Sequence, residues 1–134
     1  MNQQSSEEML DRVDHAFILG SRVNGTPVFD RAGTRLGHVD DLSIERVSGR
    51  VIYAIMSFGG FLGIGEKFHP LPWSLLEYDL ERGGFVVPLD RSILNGAPSY
   101  DPDQLRELGG PDYRVHDEAI YGYYNPYGVT PYWW

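Results

Sequence analysis

The sequence contains no cysteine, which removes disulfide staples, thiolate metal sites and a cysteine nucleophile together. A cysteine-free chain fits a reducing compartment, and a cytoplasmic location is expected. Basic residues are also scarce: 11 Lys and Arg stand against 19 Asp and Glu, for a net charge of −8. They fall singly along the chain, whereas a nucleic-acid binder clusters them on one face. Long-range repulsion from phosphate opposes such binding as well. No apolar run approaches the ~20 residues that cross a bilayer, so no membrane span is expected. The first residues, MNQQSSEEMLDRVDHAF, lack a basic segment followed by an apolar one, so no secretory signal is expected. At 134 residues there is room for one domain plus tails, large enough to bury a core without staples.

What the chain does hold is organised around Val51 to Trp73, VIYAIMSFGGFLGIGEKFHPLPW. Val51 to Phe58 carries no charge and is rich in β-branched and aromatic types, the pattern of a strand covered on both faces. Gly59, Gly60, Gly63 and Gly65 mark a turn, and a return segment ends on Pro70, Pro72 and Trp73. A long central hairpin is expected, with the other strands closing on it.

Residues 1–14 are polar and acidic and read as a flexible arm. Phe17, Ile18, Leu19 and Val23 suggest a first strand, with Gly20 as a bulge. Asn24-Gly25 is a turn pair, Val28-Phe29 opens the next strand, and Asp30-Arg31-Ala32-Gly33 turns again. In Leu36–Glu45, Val39 has the opposite parity to Leu42 and Ile44. One extra residue near Asp40-Asp41 would bring all three inward. Ser74 to Tyr78 reads as a helical turn leading into a strand, and Glu81-Arg82-Gly83-Gly84 as a hairpin to Phe85–Leu89. Pro88, with no amide donor, belongs at an edge or a strand end. Turns every ~8–12 residues between short strands predict a small all-β barrel or sandwich.

Composition shifts after Pro98. Asp101-Pro102 is a helix start, with Asp as cap and Pro at the first helical position; Leu105 and Leu108 form its apolar face and Gly109 stops it. From Pro111 onward aromatics dominate, and glycine and proline interrupt them, so neither a regular strand nor a helix is expected there. Three segments follow: a flexible arm over 1–14, a barrel over 15–98, and a short helix with an aromatic extension over 99–134. Tyr and Trp suit binding surfaces because they bury large area at low rotamer cost. Such a tail either packs on its own barrel, docks on a second subunit, or waits for another protein.

The residues from Val28 to Asp79 bear a family resemblance. The D-x-x-G-x-x-x-G-x-V-x-D-L pattern from Asp30 to Leu42, the apolar strand, the GGFLGIGEK loop and the proline–tryptophan pair before the last hairpin resemble the PRC-barrel family. That family is named for the cytoplasmic domain of the photosynthetic reaction-centre H subunit and includes the C-terminal domain of the bacterial ribosome-maturation factor. The resemblance implies a compact six-stranded PRC-type β-barrel. It implies little about activity, since members serve as assembly or docking domains and fold does not fix function. The membrane helix of the H subunit is missing here, and a leader of roughly 16 residues leaves no room for the maturation factor's N-terminal barrel. The chain is therefore expected to be similar to the stand-alone bacterial group.

Catalytic and cofactor motifs fail on inspection. In GGFLGIGEK, Gly65 is followed by Glu66 and Lys67, with Phe68 where a P-loop needs its hydroxyl. The loop also does not lie between a strand and a helix, as a dinucleotide fingerprint requires. His15, His38, His69 and His116 show no metal-ligand spacing. Asp40 shares a strand face with His38 while Asp41 points away, a solvated acidic rim in which Asp41 hydrogen-bonds turn amides. No G-x-S-x-G elbow is present; Ser57, Ser74 and the histidines have no reason in sequence to converge, and Glu45, Glu66 and Glu77 show no acid/base pairing. The expectation is a non-catalytic protein-interaction or assembly module without cofactor or metal, a homodimer contacting an unknown protein partner. Its contacts would be main-chain pairing at a barrel edge plus Phe61, Leu62, Ile64, Trp73, Tyr121, Tyr123, Tyr124, Tyr127, Tyr132, Trp133 and Trp134. The alternatives are a ribosome- or RNA-processing-associated factor, and a small-ligand-binding barrel with an apolar pocket at its mouth.

Overall fold

A computed structural model describes residues 17–57 and 67–134. The expected arm over residues 1–14 and the glycine-rich turn with Phe61, Leu62 and Ile64 lie outside the described residues. Six strands form one sheet: β1 (Pro27–Phe29), β2 (Arg35–Ile44), β3 (Val51–Ser57), β4 (Phe68–Pro72), β5 (Glu77–Asp79) and β6 (Gly84–Val86). Their order is β4-β3-β2-β1-β6-β5. Neighbours are antiparallel except β1 and β6, which run parallel.

The β3–β4 hairpin lies at one end of the sheet rather than at its centre, with β4 as the edge strand and β3 the interior strand beside it. Ile52 to Met56 are all buried, so both faces of this strand are covered. Residues directly opposite on paired strands share a face. Tyr53 and Ile55 therefore lie on one side with Pro72 and Pro70, while Ala54 and Met56 lie on the other with Leu71 and His69. The second side is filled by its own side chains: Val28, Val39, Met56, Leu71 and Val87 are fully buried. The expected irregularity in β2 is present, since the register shifts between Val39 and Asp41. Val39 turns inward and Leu42 is half-buried. A second shift at Ser43/Ile44 leaves Ile44 53% exposed, so the bulge does not bring all three residues inside. A turn with Gly49 at φ 75° closes the β2–β3 hairpin, a conformation that side-chain-bearing residues rarely take.

Three expectations are corrected. Phe17–Val23 is not a strand: Gly20–Val23 forms a helical turn, α1, and Phe17 is 91% exposed. The segment satisfies its polar groups locally, with Arg22 N–H donating to the Leu19 carbonyl and the Thr26 hydroxyl to the Arg22 carbonyl, while Val23 alone is buried. The chain is not all-β, because helices and strands each hold 29% of the described residues. The sheet is not closed either, since β4 and β5 end the ladder without pairing to each other. The edges explain this. Pro70 and Pro72 bring no amide donor to β4, and β5 is only three residues long. Phe68 instead exchanges main-chain hydrogen bonds of 2.9 Å with Tyr100.

A 3-10 turn over Trp73–Leu75 leads into β5, as Ser74–Tyr78 suggested. Two short helices follow the last strand. α2 (Arg91–Asn95), absent from the sequence reading, is capped by Asp90, whose carboxylate accepts from Ile93 N–H at 2.9 Å. α3 (Pro102–Arg106) starts where expected, Asp101 and Gln104 forming a reciprocal capping box. The aromatic extension is the largest surprise. Tyr113–Tyr124 is a 12-residue helix, α4, followed by a 3-10 turn over Asn125–Tyr127 and Gly128 at φ 93°.

Candidate functional site

Helix α4 buries Asp117, Ile120, Tyr121 and Tyr124. The spacing i, i+3, i+4, i+7 places them on one stripe of the helix, and that stripe lies on the Tyr53 side of the sheet. Burial there rather than intrinsic propensity holds the helix together, since its aromatic residues are mediocre helix formers.

The polar member of the stripe carries the geometry. Asp117 is 4% exposed, and a buried carboxylate is costly unless it is hydrogen-bonded. Both of its oxygens are engaged. The Tyr53 hydroxyl on β3 donates to Oδ1 at 2.5 Å, and the Tyr132 hydroxyl near the end of the chain donates to Oδ2. One side chain thus ties strand, helix and terminal segment together. Burial, then the bond to Asp117, raises the Tyr53 phenol far above its ordinary value, and the same two causes raise Tyr132. Burial, then the Asp117 charge, pushes Tyr121 up to about 12. Tyr53 and Tyr132 therefore stay protonated donors at neutral pH. Around them the rings pack closely, Tyr121 lying 5.8 Å from Tyr53, 6.0 Å from Tyr132 and 5.1 Å from Trp133.

Over this network opens a cleft of about 530 Å³ between the β2–β3 hairpin and the start of α4, with Ile44, Arg46, Arg106, Leu108 and Tyr113 on its walls and Asp117 among its lining. A second cleft of about 180 Å³ adjoins it, sharing Glu45, Tyr113, Asp117 and Tyr132 and adding Arg50, Arg114, Glu118 and Trp133. Arg50 lies 5.9 Å over the Tyr132 ring and 3.6 Å from the Glu45 carboxylate. Arg114 lies 5.7 Å over Tyr113.

The structure sorts the sequence-derived candidates. Tyr121 and Tyr124 are buried in the chain's own core, and Tyr123, Tyr127 and Tyr132 are half-buried against it. Tyr123 donates its hydroxyl to the Ile93 carbonyl. The aromatic extension therefore packs on its own sheet. Trp73 is half-buried elsewhere, edge-on to Phe85 at 5.6 Å. Among the described candidates only Trp133, at 40%, and Trp134, at 88%, stay well exposed. Sequence reasoning missed Asp117, Tyr53 and the four arginines. The helical spacing of Asp117, Ile120, Tyr121 and Tyr124 was the available signal for the first. Nothing local announced the arginines.

Asp40 reaches His38, as their shared strand face implies, and Ser57 joins them although nothing in the residue spacing announces it. Ser57 Oγ is 3.3 Å and Asp40 Oδ1 3.1 Å from His38, but both contacts fall on the same ring nitrogen, Nε2. A nucleophilic relay needs the serine on one nitrogen and the carboxylate on the other, so the trio cannot pass a proton from serine to histidine in this arrangement. Asp41 turns away and accepts from Leu42 N–H at 2.8 Å. Among the described residues no three His, Asp or Glu side chains gather as a metal-ligand set, and no helix is long and apolar enough to cross a membrane.

Compared with known families, residues 15–94 match the model of the PRC-barrel domain. The match takes in Tyr53, Arg46 and Arg50, and ends before α3 and α4. None of the curated proteins compared with the chain matches it.

Proposed function

The chain belongs to the PRC-barrel family, and from that premise we propose that it is a non-catalytic protein-interaction or assembly module that works as a homodimer. The observation that carries this reading is the apolar rim of the double cleft. Ile44, Tyr113 and Trp133 line it and are 53%, 40% and 40% exposed, and Val47 and Trp134, next in sequence to the lining residues Arg46 and Trp133, are 99% and 88% exposed, although the same tail buries Tyr121 and Tyr124 completely enough to form core. Large apolar groups left outside in one neighbourhood are the signature of a contact surface, and tryptophan and tyrosine are the residues that dominate binding energy.

The mode of contact changes from the one the sequence suggested. Strand addition at an edge is poorly served, because β4 carries Pro70 and Pro72 and β5 offers three residues with Glu77 and Asp79 among them. Side-chain docking through the rim is the better route. The filled inner face of the sheet gives no support to a ligand held inside a barrel.

Sedimentation equilibrium of the full chain at tens of micromolar tests the proposal. A dimer that dissociates on Trp133→Ser and Trp134→Ser substitution is expected. A monomer at those concentrations would end the homodimer reading.

A further inference from the structure

We propose that the double cleft docks a short acidic segment of a partner protein in which carboxylates alternate with apolar side chains. This rests on the interaction-module reading and names the chemistry of the partner that the same face would take.

The chain carries −8 overall, yet four of its 11 basic residues, Arg46, Arg50, Arg106 and Arg114, line these two adjoining clefts. Against them stand Glu45, Asp117 and Glu118. Asp117 is at the buried floor with both oxygens taken by tyrosine hydroxyls, and Glu45 already faces Arg50. The face is thus close to neutral in a molecule that carries −8, and Arg46 and Arg114 lie in it outside the Arg50–Glu45 and Arg106–Asp103 pairs. All four cations are arginine, whose planar fork matches a carboxylate in two-point contact and whose face stacks on aromatic rings. The guanidinium carbons of Arg50 and Arg114 already lie 5.9 Å and 5.7 Å from the Tyr132 and Tyr113 ring centres.

Between the cations lie apolar sockets, with Ile44 and Leu108 in one cleft and Trp133 in the other. Existing pairs would yield cheaply: Arg106 and Asp103 are 3.7 Å apart with side chains 80% and 92% exposed, the kind of surface ion pair that contributes little. A nucleic acid is the poorer fit. Its phosphates run on past the patch and meet an acidic surface, and Glu45 and Glu118 interrupt the cationic track. A peptide places its charges only where the arginines are.

Fluorescence anisotropy on the full chain tests this with three labelled probes: a peptide alternating glutamate and leucine, one alternating lysine and leucine, and an oligouridylate of matching length. The glutamate peptide is expected to bind, more weakly as salt rises. Joint Arg46→Glu and Arg114→Glu substitution should weaken it at least about tenfold and turn preference to the lysine peptide, while Arg82→Glu at the β5–β6 turn leaves it unchanged. Joint Arg46→Glu and Arg106→Glu substitution repeats the test at two exposed positions should the first pair unfold. Overturning results are no binding of the glutamate peptide at low salt, binding indifferent to these arginines, or arginine-dependent binding of the oligouridylate in its place. A monomer that binds the glutamate peptide keeps this inference and removes the homodimer; a dimer that ignores the peptide does the reverse.

Discussion

Tyr53 and Asp117, 64 positions apart in the chain, meet through a 2.5 Å hydrogen bond that joins β3 to the helix lying on it. Tyr132 completes the contact from the other side. Hydrogen bonds to charged groups contribute about 1.5–3 kcal/mol each, and a buried donor left unpaired costs about as much. Asp117→Ala should therefore lower unfolding stability by about 3 kcal/mol, and Tyr53→Phe by about 2 kcal/mol, both read from urea denaturation. In the Asp117→Ala background, Tyr53→Phe should cost almost nothing further. Additive losses in that cycle would mean that the two side chains do not work as a pair.

The same network sets alkaline behaviour. Burial raises the phenols of Tyr53, Tyr100, Tyr121, Tyr124 and Tyr132, five of the nine tyrosines. A group whose value is higher when folded contributes stability that is complete below its unfolded value, here 10.0, and is lost as pH climbs through the folded one. Near-ultraviolet absorbance should show these five ionising late, together with the loss of ellipticity, and a single simple titration of all nine would refute the arrangement.

Acid acts at a different point. His69, 4% exposed and facing the filled side of the sheet beside Met56, is held down to about 4 by burial. Above its ordinary 6.5 both folded and unfolded chains carry it neutral. As pH falls from there toward 4 only the unfolded chain takes up the proton, so stability drops by up to about 3 kcal/mol. His69→Leu should flatten the stability profile over that window relative to the parent, both proteins sharing the same carboxylates. Parallel profiles would contradict the prediction.

Gly84 stands where no side chain fits. A β-carbon there would lie 2.5 Å from the Pro27 carbonyl oxygen and 2.8 Å from the Phe29 ring, at the start of the parallel β1–β6 contact. Gly84→Ala should cost about 1–3 kcal/mol, seen as a fall in melting temperature, whereas the same change at Gly20, which has open space around it, should leave the melting temperature unaltered or raise it.

Some of this was legible in the sequence, and the pattern of success is physical. β3 announced itself because eight uncharged residues in a row suit only a doubly covered strand. The parity slip at Val39 foretold the bulge, and Asp101-Pro102 foretold α3, since a cap and a fixed φ act locally. Glycine and proline among the aromatics after Pro111 argue against α4 in sequence, while the spacing from Asp117 to Tyr124 is satisfied only once a sheet lies beneath it. Phe17–Leu19 looked like a strand by composition, but no neighbour pairs with it among the described residues. The site itself was out of reach. Its arginines come from the β2–β3 hairpin, α3 and α4, and singly spaced charges give no hint that a fold will collect them.

The parallel contact between β1 and β6 carries one more consequence. Val28 and Phe85 pair across everything from β2 to β5, whereas β1 to β4 are linked in sequence by neighbouring antiparallel partners. Among the described residues the ladder between the β5–β6 hairpin and the rest of the sheet is two registered pairs, Val28 with Phe85 and Phe29 with Val86, extended by one hydrogen bond from Val87 N–H to the Phe29 carbonyl. Amide exchange in the native protein should therefore find that hairpin detaching as a unit, at lower free energy than the β2–β3 ladder, a seam along which the molecule comes apart before it unfolds.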